Sequence, residues 1–324
     1  MIETDVAAVP PRTLSSRVFA GDPRTLGTRR EVDVAVVRFG IYGFAHTLPM
    51  TLPQLTLWPM LDTSQASYEK ARSKTEYFLT SVGVATGSPT DGQVRQLLFD
   101  LQASLTFCQQ QSVLIPDFRG VKTGGRPSSI RPGFPKRIPN YIGTRGTGIL
   151  VGDDRIFVNS RADFVRLCMQ RLGNDQFCGH TGFRQALFYA TQALAAPMRY
   201  VEIDYYLHFS ALEMLSRRYC QDSTSKAPVV LAKFLKDKWR FGVVNDDGSR
   251  AQRSVVNYCR LRNALYHQGR LEDTTTIAGK SVTVHIKDYL YSLRSLLRLA
   301  VLKVAGFDDG RINWNQWIDR QPFR

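Results

Sequence analysis

Tyr258-Cys259-Arg260-Leu261-Arg262-Asn263-Ala264-Leu265-Tyr266-His267-Gln268-Gly269 places an arginine and a histidine, with four residues between them, at the end of an expected helix. Val255, Val256, Cys259, Leu261 and Leu265 supply apolar positions at three- and four-residue steps. Gly269 is placed to stop the helix just past its last turn. Asn263 and His267 are four apart and share a helix face. Arg262 and His267 are five apart and do not stack. They converge only if the ring turns back at the helix end, or if two copies of the helix meet.

Working outward, the motif helix (250–267) has helical neighbours on both sides. Residues 198–219 form a long expected helix, with Val201, Tyr205, His208, Leu212 and Leu215 at steps of four and three. A shorter helix spans 228–239, with Pro228 in its first turn. After a loop at 269–280, with an extended stretch at 282–285, residues 287–304 are amphipathic through Leu290, Leu293, Leu297 and Val301. A further helix covers 183–195, before Pro197. From about 176 onward, strand signals almost vanish.

In this four-helix setting, Arg262-Asn263-x-x-x-His267 resembles the Rx4–6H motif of HEPN-superfamily ribonucleases. Ala211-Leu212-Glu213-Met214-Leu215 is similar to the acidic segment of ApeA-like HEPN domains, where the acid points toward the motif. The resemblance covers about residues 198–305 and does not extend to 1–175. It implies a small helical bundle, an endoribonuclease activity of the kind used in antiviral defence or toxin systems, and a composite cleft made by two HEPN domains. Only one motif is visible, so the implied assembly is a homodimer through the bundle.

The residue types suit that chemistry. RNA carries its own nucleophile, the 2′-hydroxyl, so cleavage without a metal needs a proton-moving group and a fixed cation for the phosphorane. His267 suits the first task because an imidazole titrates near neutral pH. Arg262 suits the second through paired N–H groups. Asn263 is placed to orient His267 or the phosphate. Glu213 either pairs with Arg217 four residues on, or positions Arg262 or His267 across the bundle. No Asp, Glu and His set has metal-ligand spacing, and no cofactor is expected. The alternative is a HEPN-like bundle that holds nucleic acid or protein without cutting.

Charge points to a nucleic acid as the partner without telling RNA from DNA; RNA is what the resemblance implies. Lys and Arg number 43 against 28 Asp and Glu, a formal net charge of +15. The excess is mainly arginine, which binds phosphate bidentately and stacks on bases. Residues 119–148 carry Arg119, Lys122, Arg126, Arg131, Lys136, Arg137 and Arg145, with no acidic residue among many glycines and prolines. They read as an RNA-contacting loop in which Phe134 and Tyr141 are available for stacking. Within it, Gly143-Thr144-Arg145-Gly146-Thr147-Gly148 precedes the strand-like Ile149-Leu150-Val151 rather than a helix, the wrong order for a dinucleotide or P-loop site.

The rest of the first half reads as mixed α and β. Residues 1–30 form an irregular lead-in, 32–39 a strand ending at Gly40, and 51–60 a short or edge strand. Helices are expected over 64–79 and 93–109, a buried strand at 112–115, a hairpin over 149–158 turning at 152–154, and a helix capped by Asn159 or Ser160 through Leu172. The expected fold class is therefore α+β: a mixed α/β sensing or recognition domain at 1–175, an all-α HEPN-like four-helix bundle at 176–310, and a tail at 311–324. Five scattered cysteines read as reduced thiols. The lack of a long apolar run or a basic-then-apolar start points to a cytoplasmic protein with no membrane partner. His208 is expected in the core, and Trp314 and Trp317 packed on the bundle, whereas His46 and His285 carry no legible role.

Overall fold

The computed structural model describes residues 36–60, 64, 76–88, 91–116, 118–121, 133–139, 150–153, 156–195, 200–246, 251–277 and 279–323. All of them belong to one unit, residues 34–324. The lead-in at 1–30, the glycine run at 143–148, Tyr141 and the basic residues Lys122, Arg126, Arg131 and Arg145 lie outside the described residues.

An antiparallel sheet, ordered β2 (Met50–Leu52), β3 (Leu55–Pro59), β4 (Glu76–Thr86), β1 (Val36–Tyr42) and β5 (Phe118–Val121), fills the first half. Strand β1 (Val36–Tyr42) passes through Gly40 instead of ending there. Val37, Phe39 and Ile41 alternate onto the face that joins the main core. β2 (Met50–Leu52) and β3 (Leu55–Pro59) form a tight hairpin, so the expected single edge strand is two. β5 (Phe118–Val121) pairs with β1, and β6 (Arg137–Pro139) pairs with the start of β4. The basic stretch therefore contributes two short strands and is not a loop throughout.

The central strand corrects a sequence expectation. β4 (Glu76–Thr86) occupies residues assigned to the end of a 64–79 helix, and residues 65–75 lie outside the described set. Glu76-Tyr-Phe-Leu-Thr-Ser-Val-Gly-Val-Ala-Thr is rich in aromatic and β-branched residues, which suit a strand covered on both faces. Gly83 lies opposite Phe39, whose ring occupies the space a Cβ would need. Tyr42, Tyr77, Leu79 and Val82 build a small second cluster, with Phe134 and Ile138 packed against it.

The helices follow in order. α1 (Gly92–Gln109) is capped by the Asp91 carboxylate, which accepts from the Gln93 N–H. The segment after it makes a single bridge, Leu114 to Tyr42, in place of a strand. The described part of 149–158 is turn and bend, not a hairpin. α2 (Ser160–Leu172), α3 (Asp175–Thr181) and α4 (Phe183–Ala195) come next. α5 (Val201–Tyr219) packs on α4 and on the last long helix. α6 (Ala227–Ala232) widens into a π-helical turn, Lys233–Lys238. α7 (Val255–Gln268) carries the motif. A hairpin, β7 (Glu272–Ile277) and β8 (Lys280–His285), then intervenes where a loop was expected. Its threonine-rich first strand lacks apolar alternation, the signal that marks a half-buried strand. The His285 ring caps α8 (Ile286–Ala305), Nδ1 accepting from the Lys287 N–H at 3.3 Å.

One core cluster runs from Val37 in the sheet to Trp317 in α9 (Gln316–Asp319), taking in α1 through α8. The expected boundary at 175/176 falls at the start of α3, with that core on both sides. The fold is α+β. Among the described residues, no helix is long and apolar enough to cross a membrane.

Two buried polar groups show how the core handles polarity. His46 is fully buried: Nδ1 lies 2.8 Å from the Leu48 carbonyl and Nε2 bonds the Ser81 hydroxyl. A carbonyl only accepts, so Nδ1 carries the proton and Nε2 accepts from Ser81. Burial lowers the His46 pKa to about 4; the Leu48 bond opposes that shift and the nearby Arg161 charge adds to it. In the helices, His208 is the core histidine expected, with Nδ1 2.8 Å from Asp204 Oδ1. Arg294 of α8 donates to the same carboxylate, Nε to Oδ1 at 3.2 Å, and so fastens α8 to α5.

Candidate active site

The last turn of α7 ends on Gly269 in the left-handed conformation (φ 63°), a backbone shape that costs glycine nothing. The Gly269 N–H donates to Leu265 O at 3.0 Å, and the Arg270 N–H to Ala264 O at 3.1 Å. The helix buries Val255, Asn257, Tyr258, Cys259, Leu261 and Ala264, whereas Val256 and Leu265, expected on that stripe, are only half-buried. Tyr258, not singled out beforehand, is core: its ring meets Tyr289 edge-on at 5.3 Å. Burial pushes the Cys259 thiol up to about 12, although the neighbouring Arg262 charge pulls the other way.

With that face inward, Arg262 points along the seam between α7 and α5. Its Nη2 lies 3.3 Å from Glu213 Oε2. Its guanidinium sits over the Phe209 ring, 5.1 Å from the centroid. Arg262 Nε is buried and has no hydrogen-bond partner among the described residues. Glu213 serves a second cation as well: Arg217 Nη2 is 2.8 Å from Oε1, and Arg217 Nε donates to Oε1 at 2.9 Å. Both roles left open for Glu213 in the sequence are thus filled at once. Two guanidiniums share one carboxylate, so the trio keeps a single positive charge.

Asn263 and His267 are exposed, and neither has a side-chain hydrogen bond among the described residues. The His267 ring stands edge-on to Tyr266, 5.1 Å between centroids. Among the described residues it makes no hydrogen bond with Arg262, in keeping with their spacing of five on a regular helix.

The basic residues of 119–148 are divided. Arg137 is ion-paired with Glu76 at 3.2 Å. Lys136 is exposed, and its carbonyl accepts from the Leu79 N–H at 2.9 Å. Arg119 takes its place in β5 opposite Arg38. Phe134, expected as a stacking residue, packs on the second cluster instead. The tail tryptophans behave as expected: Trp317 is in the core, and Trp314 lies under the Lys303 ammonium at 3.6 Å.

What sequence reasoning missed is aromatic and exposed. Tyr206 of α5 and Tyr266 of α7 lie with rings nearly parallel, 6.0 Å apart at 10°. The available signal was that Tyr206 falls off the apolar stripe of α5. A cavity of about 300 Å³ also exists, lined by Leu52, Leu97, Asp100 and Met169 among others, but it shares no residue with the motif seam. No protein-family model, no curated protein and no solved structure matches the chain.

Proposed function

We propose that the chain is a metal-independent endoribonuclease whose site is built on Arg262 and His267, with α5 to α8 forming a HEPN-like bundle. One observation carries the reading: Glu213 holds the Arg262 guanidinium at the α5–α7 seam, while His267 stands exposed on the last turn of the same helix. In the reaction, a base removes the proton of the RNA 2′-hydroxyl, and that oxygen attacks the adjacent phosphorus. The 5′-oxygen leaves and takes up a proton, giving a 2′,3′-cyclic phosphate and a 5′-hydroxyl. His267 moves the proton. Arg262 holds the phosphorane oxygens, and the extra positive charge of the Arg217–Glu213–Arg262 trio favours that dianion. Asn263 orients the phosphate or the imidazole. Because Arg262 and His267 of one chain are not hydrogen-bonded to each other among the described residues, two copies meeting at α7 complete the cleft as a homodimer. The preceding half acts as the recognition or sensing part, and the setting is antiviral defence or a toxin system.

The same lack of a hydrogen bond favours a second reading, a bundle that binds nucleic acid or protein without cutting. Purified protein incubated with single-stranded RNA in excess chelator separates the two. Cleavage that survives chelation and disappears in both Arg262→Ala and His267→Ala supports the enzyme. Cleavage that persists in both variants overturns this site, and tight RNA binding without cleavage under any condition supports the binding module.

A further inference from the structure

Tyr206 and Tyr266 form a parallel aromatic pair on the outside of the helical layer, 42% and 62% exposed. They are not isolated. His267 abuts Tyr266 edge-on at 5.1 Å. Ile203, three residues before Tyr206 and so on the same face of α5, is 54% exposed, and Tyr200 at the helix start is 53% exposed. Large aromatic rings left in water, flat and side by side, are costly unless something covers them.

The surrounding charge indicates what that is. α7 carries Arg260, Arg262 and His267 and no acidic residue. Of the carboxylates around it, Glu213 is paired with Arg217 and Arg262, and Asp273 with Arg270 at 4.0 Å, whereas Glu202, four residues before Tyr206 on α5, is the one acid on the face of the pair with no ion pair among the described residues. A purely apolar partner gains nothing from these cations. A single-stranded nucleic acid uses both features, stacking bases on the rings and placing phosphates by the cations.

We infer that Tyr206 and Tyr266 form a nucleobase-stacking subsite for single-stranded RNA, which sets the nucleotide next to the scissile phosphate beside His267. The inference deepens the ribonuclease reading and rests on it for the position of the scissile bond. Stacking needs only the π-face of a base, so the subsite favours unpaired RNA and is tolerant of sequence. It adds Tyr206 and Tyr266 to the site as substrate-positioning residues.

The test uses a fluorescein-labelled, single-stranded oligoadenylate whose riboses are all 2′-O-methylated, so that it lacks the nucleophile and stays intact. A matched abasic strand presents the same phosphates without bases. The full chain is expected to bind the oligoadenylate more tightly than the abasic strand by fluorescence anisotropy. Tyr266→Ala and Tyr206→Ala should each weaken oligoadenylate binding about 5- to 150-fold while leaving abasic binding unchanged. Tyr266→Trp should restore it. Equal affinity of Tyr266→Ala and parent overturns the subsite, as does failure of the parent to prefer bases over the abasic strand. So does sedimentation showing that Tyr266→Ala turns a dimer into a monomer, which would make the face a contact between copies. If Arg262- and His267-dependent cleavage continues with parental KM in Tyr266→Ala, the subsite falls and the ribonuclease stands. If Tyr266-dependent binding occurs without cleavage, the ribonuclease reading falls and the subsite stands.

Discussion

Glu213 of α5 and Arg262 of α7, 49 residues apart in the chain, meet at 3.3 Å through Oε2 and Nη2. The same carboxylate holds Arg217 one turn on. Glu213 is therefore the post against which the candidate catalytic arginine is set, and Phe209 beneath the guanidinium fixes its height. All three charges are partly exposed, so their joint contribution to stability is small, about 1 kcal/mol. Their value lies in placing a cation.

That placement gives the first prediction. Glu213→Gln keeps the shape but removes the charge and one of the two acceptor oxygens, so the fold persists while Arg262 and Arg217 compete for a single neutral acceptor and Arg262 is held more loosely. Single-turnover RNA cleavage should slow about 10- to 100-fold, the size of effect that misplacing a catalytic group produces. Urea-unfolding curves should move little. Parental cleavage rates in Glu213→Gln would show that Arg262 needs no support.

His46 gives a pH prediction unrelated to the site. Its folded pKa is about 4, against 6.5 unfolded, so below pH 6.5 the unfolded chain takes up the proton first. The stability from keeping a neutral His46 is complete above pH 6.5 and is lost as pH falls toward 4, at most about 3 kcal/mol. Urea unfolding at pH 7 and pH 4.5 reads this out. His46→Gln, which keeps an acceptor for Ser81, should lose less stability on acidification than the parent. An identical acid loss in the variant would remove His46 as the cause.

Gly83 is the packing test. A methyl group there runs into the Phe39 ring and comes within 2.9 Å of Leu57 Cδ2, in the middle of the central strand. Gly83→Ala should destabilise the chain by about 2 kcal/mol, as overpacking does. Phe39→Leu frees the space, so the double variant should be more stable than the sum of the two single changes predicts. Simple additivity in denaturation midpoints would show that the ring and the glycine are not coupled.

Much of the helical part was readable from local pattern. Residues 93–109, 183–195 and 287–304 were assigned as helices and match α1, α4 and α8 to within about two residues. Their apolar residues recur at the helical period, and caps such as Asp91 and Gly306 sit at the ends. The sheet was less readable. Phe78 and Leu79 also fit a helical stripe, and only pairing with β1, β3 and β6 makes them strand. Pairing partners lie tens of residues away, where no local window reaches them. The hairpin 272–285 escaped for the related reason that its strands are largely polar.

By itself, then, the sequence determined the long helices from residue 92 onward, that the chain is strongly cationic, and that an arginine and a histidine stand on one helix end with a glycine stop. Those depend on neighbours three or four residues away and on composition. The tertiary structure decided the rest. It brought Glu213 between Arg217 and Arg262 and laid Tyr206 against Tyr266. It also left His267 facing outward and joined the sheet and helices through one core. The physical reason is that an ion pair or a ring stack between two helices depends on their packing distance and rotation, which the whole core sets.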